Sequence, residues 1–123
     1  MKTHPRISES EWAVMKVLWA RSPATAGEIV EAPAIKGMHP QMVKTLLNRL
    51  IKKKALGFKK EGRAYLYFPR VKQAECVTAT SESFLDRVFG GSLKPMVAHF
   101  IRHEKLSATE IAELRQLLDK KPD

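Results

Sequence analysis

Three times in this chain a hydroxyl residue is followed three positions later by glutamate and then by an apolar run at helical spacing: Ser8 with Glu11, Thr25 with Glu28, and Ser107 with Glu110. In such a capping box the hydroxyl accepts from an orphaned backbone N–H, and the carboxylate reaches back to the N–H of the cap. Each pair marks a helix start, so the chain is committed to a mainly helical fold. After Ser8, Trp12, Met15, Leu18 and Trp19 share one face, and Arg21-Ser22-Pro23 ends the helix near Ala20. After Thr25 a short helix from Ala26 to Glu31 turns Ile29 and Val30 inward, and Ala32-Pro33 closes it.

The next helix announces itself differently. Pro40 follows His39 and suits a first helical turn. Val43, Leu46, Leu47, Leu50 and Ile51 then recur at i, i+3, i+4, i+7 and i+8, which is one apolar stripe. The opposite face reads Gln41, Lys44, Thr45, Asn48 and Lys52, with Arg49 at its margin. All of these donate hydrogen bonds and none is acidic, which suits phosphates and base edges. Beyond it the period changes from helical to alternating. Ala55 to Lys60 and Ala64 to Phe68 flank Glu61-Gly62-Arg63 and read as a hairpin, with Lys59, Lys60 and Arg63 at its approach and tip. Three helices followed by a basic hairpin is the order of a winged helix-turn-helix over residues 1–71. Residues 40–54 are its recognition helix and 58–68 its wing.

Charge supports that division. Residues 1–72 carry 15 basic and 5 acidic side chains, a net +10, whereas residues 73–123 carry 7 and 8, a net −1. A basic first part points to a polyanionic partner, with a merely solvated basic face as the bland alternative. At 123 residues, 44% hydrophobic and 28% charged, the chain can bury a real core without a covalent staple. The single cysteine, Cys76, excludes an intramolecular disulfide and a CxxC zinc site, and is expected as a small buried residue. No apolar run reaches membrane-spanning length, and Met1-Lys2-Thr3-His4-Pro5 leads into no leader-like segment, so a cytoplasmic protein without direct membrane binding is expected. His99 and His103 lie four apart beside Glu104, but two ligands make an incomplete site, so neither metal nor cofactor is expected. No nucleophile elbow, phosphate-binding loop or paired carboxylate motif occurs, so the chain does not read as an enzyme.

Residues 72–123 read as three further helices, 73–89, 92–103 and 107–120. Their apolar faces carry Val77, Phe84, Leu85, Val88 and Phe89, then Leu93, Met96, Val97, Phe100 and Ile101, then Ile111, Leu114, Leu117 and Leu118. So short a set cannot cover its own apolar faces, and a helix-turn-helix reader normally presents two copies to two half-sites. These residues are therefore expected to form a helical dimerisation domain. Packing within one chain is the alternative.

The segment from Ile7 to Trp19, the run Val43-Lys44-Thr45-Leu46-Leu47-Asn48-Arg49-Leu50 with Lys53-Lys54, and Gly62-Arg63-Ala64-Tyr65-Leu66-Tyr67 resemble the opening, recognition helix and wing of the penicillinase-repressor family. Phe84 to Ser92 and Glu110 to Leu114 resemble its dimerisation part, so the likeness spans nearly the whole chain in order. The resemblance implies a homodimeric repressor on palindromic double-stranded DNA, released by proteolysis when a membrane-bound sensor-protease detects a β-lactam. The bond matching the family's cleavage site is His99–Phe100, where the best-known members carry Asn–Phe. Met42 stands where members of that family usually have Thr near the helix start.

Within the reading surface, Lys44 and Asn48 are expected at guanine and adenine edges, with Gln41 and Thr45 as partners and Met42 beside them. Arg49, Lys52, Lys59, Lys60 and Arg63 are expected at phosphates. Two other readings stand beside this one. In one the same reader is released by a small ligand or metal, and in the other the basic face belongs to a protein–protein adaptor with an acidic partner.

Overall fold

Each of the three expected capping boxes closes in both directions. The computed structural model describes residues 5–121; the first four residues, on which the expectation of no leader partly rests, and the last two lie outside that range. Ser8 Oγ accepts from Glu11 N at 3.2 Å while Ser8 N donates to Glu11 Oε1 at 2.8 Å, and α1 runs over Glu9–Ala20. Thr25 and Glu28 repeat the exchange at 3.1 and 2.9 Å ahead of α2, Ala26–Val30. A 3-10 turn at Pro33–Ile35 follows, and then α3, Pro40–Lys52. Here His39 is the cap: its Nδ1 accepts from Gln41 N at 3.0 Å, with Pro40 in the first turn.

The helix ends earlier than the 40–54 span expected from periodicity, because Lys54 takes φ +66°. In that left-handed geometry Ala55 N donates back to Leu50 O at 2.9 Å, which satisfies a terminal carbonyl and turns the chain directly into β1. Strands β1, Leu56–Glu61, and β2, Ala64–Pro69, pair antiparallel, so the hairpin extends beyond 58–68 on both sides. Gly62, at φ +64°, makes the tight turn. Gly57 is needed for a different reason: a Cβ there would lie 2.8 Å from the Phe68 ring. Three further helices complete the chain, α4 over Gln73–Phe89, α5 over Leu93–Arg102 and α6 over Ala108–Lys120.

The described residues form two compact units, one ending at Thr80 and one beginning at Ser81, so the division falls inside α4. In the first unit Val14, Met15 and Leu18 of α1 meet Ile29, Ile35, and the Val43, Leu46, Leu47 and Leu50 stripe of α3 in one buried cluster. Val30, Trp19 and Ile51 pack at its edge. Trp12 and Trp19 meet edge to face at 5.5 Å, and Trp19 Nε1 donates to Val71 O at 3.0 Å. The hairpin is tied to the helices by backbone: Ala24 N donates to Tyr67 O at 3.0 Å and Tyr67 N to Ala24 O at 2.8 Å. Cys76 is buried, and burial raises its thiol pKa, with a smaller contribution from the nearby Glu75.

The second unit has the same local devices and a different outcome. Ser107 and Glu110 form their box at 3.1 and 3.0 Å, and Gly90 and Gly91, both at positive φ, end α4. None of its described residues is buried.

Candidate nucleic-acid interface

The apolar stripe of α3 is consumed by the core, which forces the opposite face outward. Gln41, Met42, Lys44, Asn48, Arg49 and Lys52 are exposed, and Thr45 is half-buried. Lys44, Asn48 and Lys52 succeed one another at four-residue spacing and form a row along the helix. Thr45 differs from its neighbours: its hydroxyl donates to Gln41 O at 3.0 Å within the helix, leaving only the oxygen lone pairs for a partner. Met42 is 47% exposed at the start of the helix and adds an apolar contact to a polar face.

The hairpin separates its two lysines. Phe58 pairs with Tyr67 and Lys60 with Tyr65, whereas Lys59 pairs with Leu66. Alternation along a strand puts Phe58, Lys60, Tyr65 and Tyr67 on one face and Lys59 on the other. Phe58 and Tyr65 are both exposed and meet edge to face at 5.3 Å, and Lys60 Nζ lies 6.0 Å from the Tyr65 ring centre. Arg63 is exposed at the turn. Thus the wing presents a cation beside two aromatic rings, which the count of basic residues alone missed. The alternation of Phe58, Lys60, Tyr65 and Tyr67 was the signal that carried it.

A second missed feature underlies the surface. Glu11 is 1% exposed, the single buried charged side chain among the described residues. Its Oε1 accepts from Lys53 Nζ at 2.5 Å, and the same ammonium donates to Arg6 O at 2.7 Å. Burial works to raise the Glu11 pKa. Hydrogen bonds from Lys53 and Ser8, and the Lys53 charge, outweigh it and hold the carboxyl below its ordinary value. Glu28 is likewise lowered, first by the hydrogen bonds from Thr25, and it also pairs with Arg21 at 2.6 Å on the surface.

The residues expected at a dimer contact lie in or beside the second unit's helices. Phe84, Val88, Phe100, Ile101, Leu114, Leu117 and Leu118 are exposed, and Leu85, Phe89, Met96, Val97 and Ile111 are half-buried. The His99–Phe100 bond lies within α5, with both side chains exposed. His99 and His103 stack with ring centres 4.2 Å apart, and His103 Nδ1 lies 2.8 Å from His99 O. No group of three or more metal-ligating side chains occurs among the described residues. None of the described helices is long and apolar enough to cross a membrane.

Residues 7–120 match the family described as "Penicillinase repressor". The chain is 40% identical to the penicillinase repressor of Bacillus licheniformis over 97% of its own length and 94% of that protein's. It is 35% identical to the methicillin resistance regulatory protein MecI of Staphylococcus aureus, over 94% of both chains. Among solved structures it is similar to the monomeric form of Bacillus licheniformis BlaI in complex with the blaP half-operator. That likeness has 39% identity and a TM-score of 0.52, covering 61% of this chain and 93% of that one. Likeness to apo MarR from E. coli, at 16% identity and a TM-score of 0.55 over 93% of this chain and 76% of that one, supports the winged-helix fold alone.

Proposed function

The chain belongs to the penicillinase repressor family, and on that premise we propose that it is a homodimeric transcriptional repressor that reads a palindromic operator with α3 and the wing. Its relatives are regulators of gene expression rather than enzymes. The observation that carries the reading is the division of α3, with one face wholly spent on the core and the other exposed, donor-rich and free of acid. BlaI, similar over 61% of this chain, occurs bound to a half-operator, which supports the same mode of binding here.

In this reading residues 1–71 grip DNA and residues 72–123 join two copies. The N-terminal end of α3 enters the major groove, where Lys44 meets a guanine edge and Asn48 an adenine edge. Gln41 and Thr45 assist, Thr45 as an acceptor, and Met42 packs on a thymine methyl. Arg49, Lys52, Lys59, Lys60 and Arg63 hold phosphates and fix register without choosing sequence. The exposed apolar residues of α4, α5 and α6 cover one another across a two-fold axis.

Release follows cutting of the His99–Phe100 bond by a membrane sensor-protease in the cytoplasm. Because that bond lies within a helix, α5 must open locally before a protease can hold it in extended form. Cutting there removes part of the dimer contact and lowers operator affinity.

The test is a binding titration of the full chain on its own upstream region against scrambled duplex of equal length, at two salt concentrations. The reading expects a preference on the order of 10³ or more for the native sequence. Equal and steeply salt-dependent binding to both duplexes would show that the basic face grips only phosphate.

A further inference from the structure

We infer that Glu11 and Lys53 form a latch that positions the recognition helix against the wing, and that Lys53, despite its place in the basic run Lys52-Lys53-Lys54, makes no phosphate contact. The inference rests on the operator-binding reading above and adds to it a pair of positioning residues outside the reading face.

Geometry carries the argument. Lys53 caps the C-terminal end of α3 immediately after Lys52, its N–H bonded to Arg49 O at 3.0 Å. One residue later Lys54 turns left-handed, and two residues later Ala55 is fully buried at the root of β1. Arg70 N donates to Ala55 O at 2.9 Å, which closes the base of the hairpin. Lys53 therefore sits at the joint between the helix that reads and the hairpin that clamps. Its ammonium is turned inward to Glu11, 42 positions earlier, and to Arg6 O. Glu11 in turn is held by Ser8 N at 2.8 Å, so the joint is anchored to the first turn of α1. Two of the three donors of this ammonium are spent at 2.5 and 2.7 Å, within the protein. A buried carboxylate keeps its charge by such a partner, so losing Lys53 would leave Glu11, 1% exposed, without its counter-charge. Lys53, with its side chain 34% exposed, would keep solvent and Arg6 O. Lys52 and Lys54, by contrast, are exposed on either side.

The experiment measures operator and random-duplex affinity of the full chain over a range of salt for wild type, Glu11→Gln, Lys53→Met, their double variant, and Arg63→Ala as the phosphate control. A lost phosphate contact makes the slope of log K against log salt shallower by about 0.9. The latch expects that loss for Arg63→Ala and an unchanged slope for Lys53→Met. Glu11→Gln and Lys53→Met should each lower the ratio of operator to random affinity, by about tenfold, the order of one lost base contact. The double variant should be no worse than either single one, because both remove the same link.

A Lys53→Met slope shallower by about 0.9 overturns the inference, as does a Glu11→Gln chain with undiminished operator preference. Should Lys53→Met not fold, Glu11→Gln decides: the latch expects a lower ratio of operator to random affinity at an unchanged slope, and an undiminished ratio overturns it. A wild-type chain without operator preference defeats the operator reading instead, and the Lys53→Met slope on random duplex then tells whether this lysine grips phosphate.

Discussion

From Val14 to Cys76 the chain buries thirteen apolar side chains, and from Ser81 onward, among the described residues, it buries none. Both regions use the same local devices. Ser8 and Ser107 cap their helices with the same reciprocal pair of bonds, and α3 and α5 both carry well-segregated apolar faces. What differs is whether an element lies opposite each face. In the first unit α1, α2, the 3-10 turn and the hairpin converge on the α3 stripe. In the second, Leu117 and Leu118 remain 66% and 71% exposed. Helical propensity and capping thus set where helices begin, while stability comes from covering the apolar face. The first unit finds its cover within the chain, and in the proposed homodimer the second would find it in a second copy.

The largest expected effect tests that difference directly. Leu117→Asp with Leu118→Asp places charge in the proposed dimer contact and should convert the protein to monomers in sedimentation. Operator affinity should then fall by about 10²–10⁴, the loss of linked two-site binding, while thermal unfolding of the first unit stays put. Persistence of the dimer would break the comparison. So would collapse of the first unit.

A core substitution should do the reverse. Leu50 is fully buried in the first unit's cluster, so Leu50→Ala should cost about 2–5 kcal/mol in urea unfolding. Leu117→Ala, with no cavity to leave, should show its effect in the concentration dependence of unfolding and not in the core transition. Equal losses in the two would mean that one copy already covers the second unit's face.

Acid should also divide the two regions through Glu11, whose folded-state pKa is lowered. Such a group adds stability that is fully present above the ordinary glutamate value and is lost as pH falls through the lower folded-state value. Melting temperature of the first unit should therefore drop as pH falls through that window, and Glu11→Gln should remove part of the drop. A Glu11→Gln chain with the wild-type pH profile would show that the latch contributes nothing to acid sensitivity.

Much of this was legible in the sequence because the signals are local. A capping box is complete within four residues, and the Val43–Ile51 stripe declares its buried face by spacing alone, so the exposed row from Lys44 to Lys52 followed by subtraction. What was hidden is long-range. Glu11 satisfied the role of cap partner, which masked its second role beneath a lysine 42 positions later. Lys53 looked like one more cation in a basic run. The backbone bridge between Ala24 and Tyr67 joins a loop to a strand, and no periodicity marks a single bridging residue. Phe58 and Tyr65 lay in plain view, but only the strand register puts them beside Lys60.

The smallest expected effect asks whether the two regions unfold together. Ser8→Ala and Ser107→Ala remove hydroxyls that accept from Glu11 N and Glu110 N at 3.2 and 3.1 Å, and each should cost about 1 kcal/mol of helix stability. The readouts should differ. Helix α1 delivers Val14, Met15 and Leu18 to the core, so fraying its start weakens the cooperative unit, and the Ser8→Ala loss should appear as a lower melting temperature. Helix α6 buries nothing in this chain, so the Ser107→Ala loss should appear as faster amide exchange in its first turn while the main transition is unmoved. If Ser107→Ala lowers the main transition as much as Ser8→Ala does, the second unit shares the first unit's cooperativity, and the dimer contact is then part of what folds the DNA-reading half.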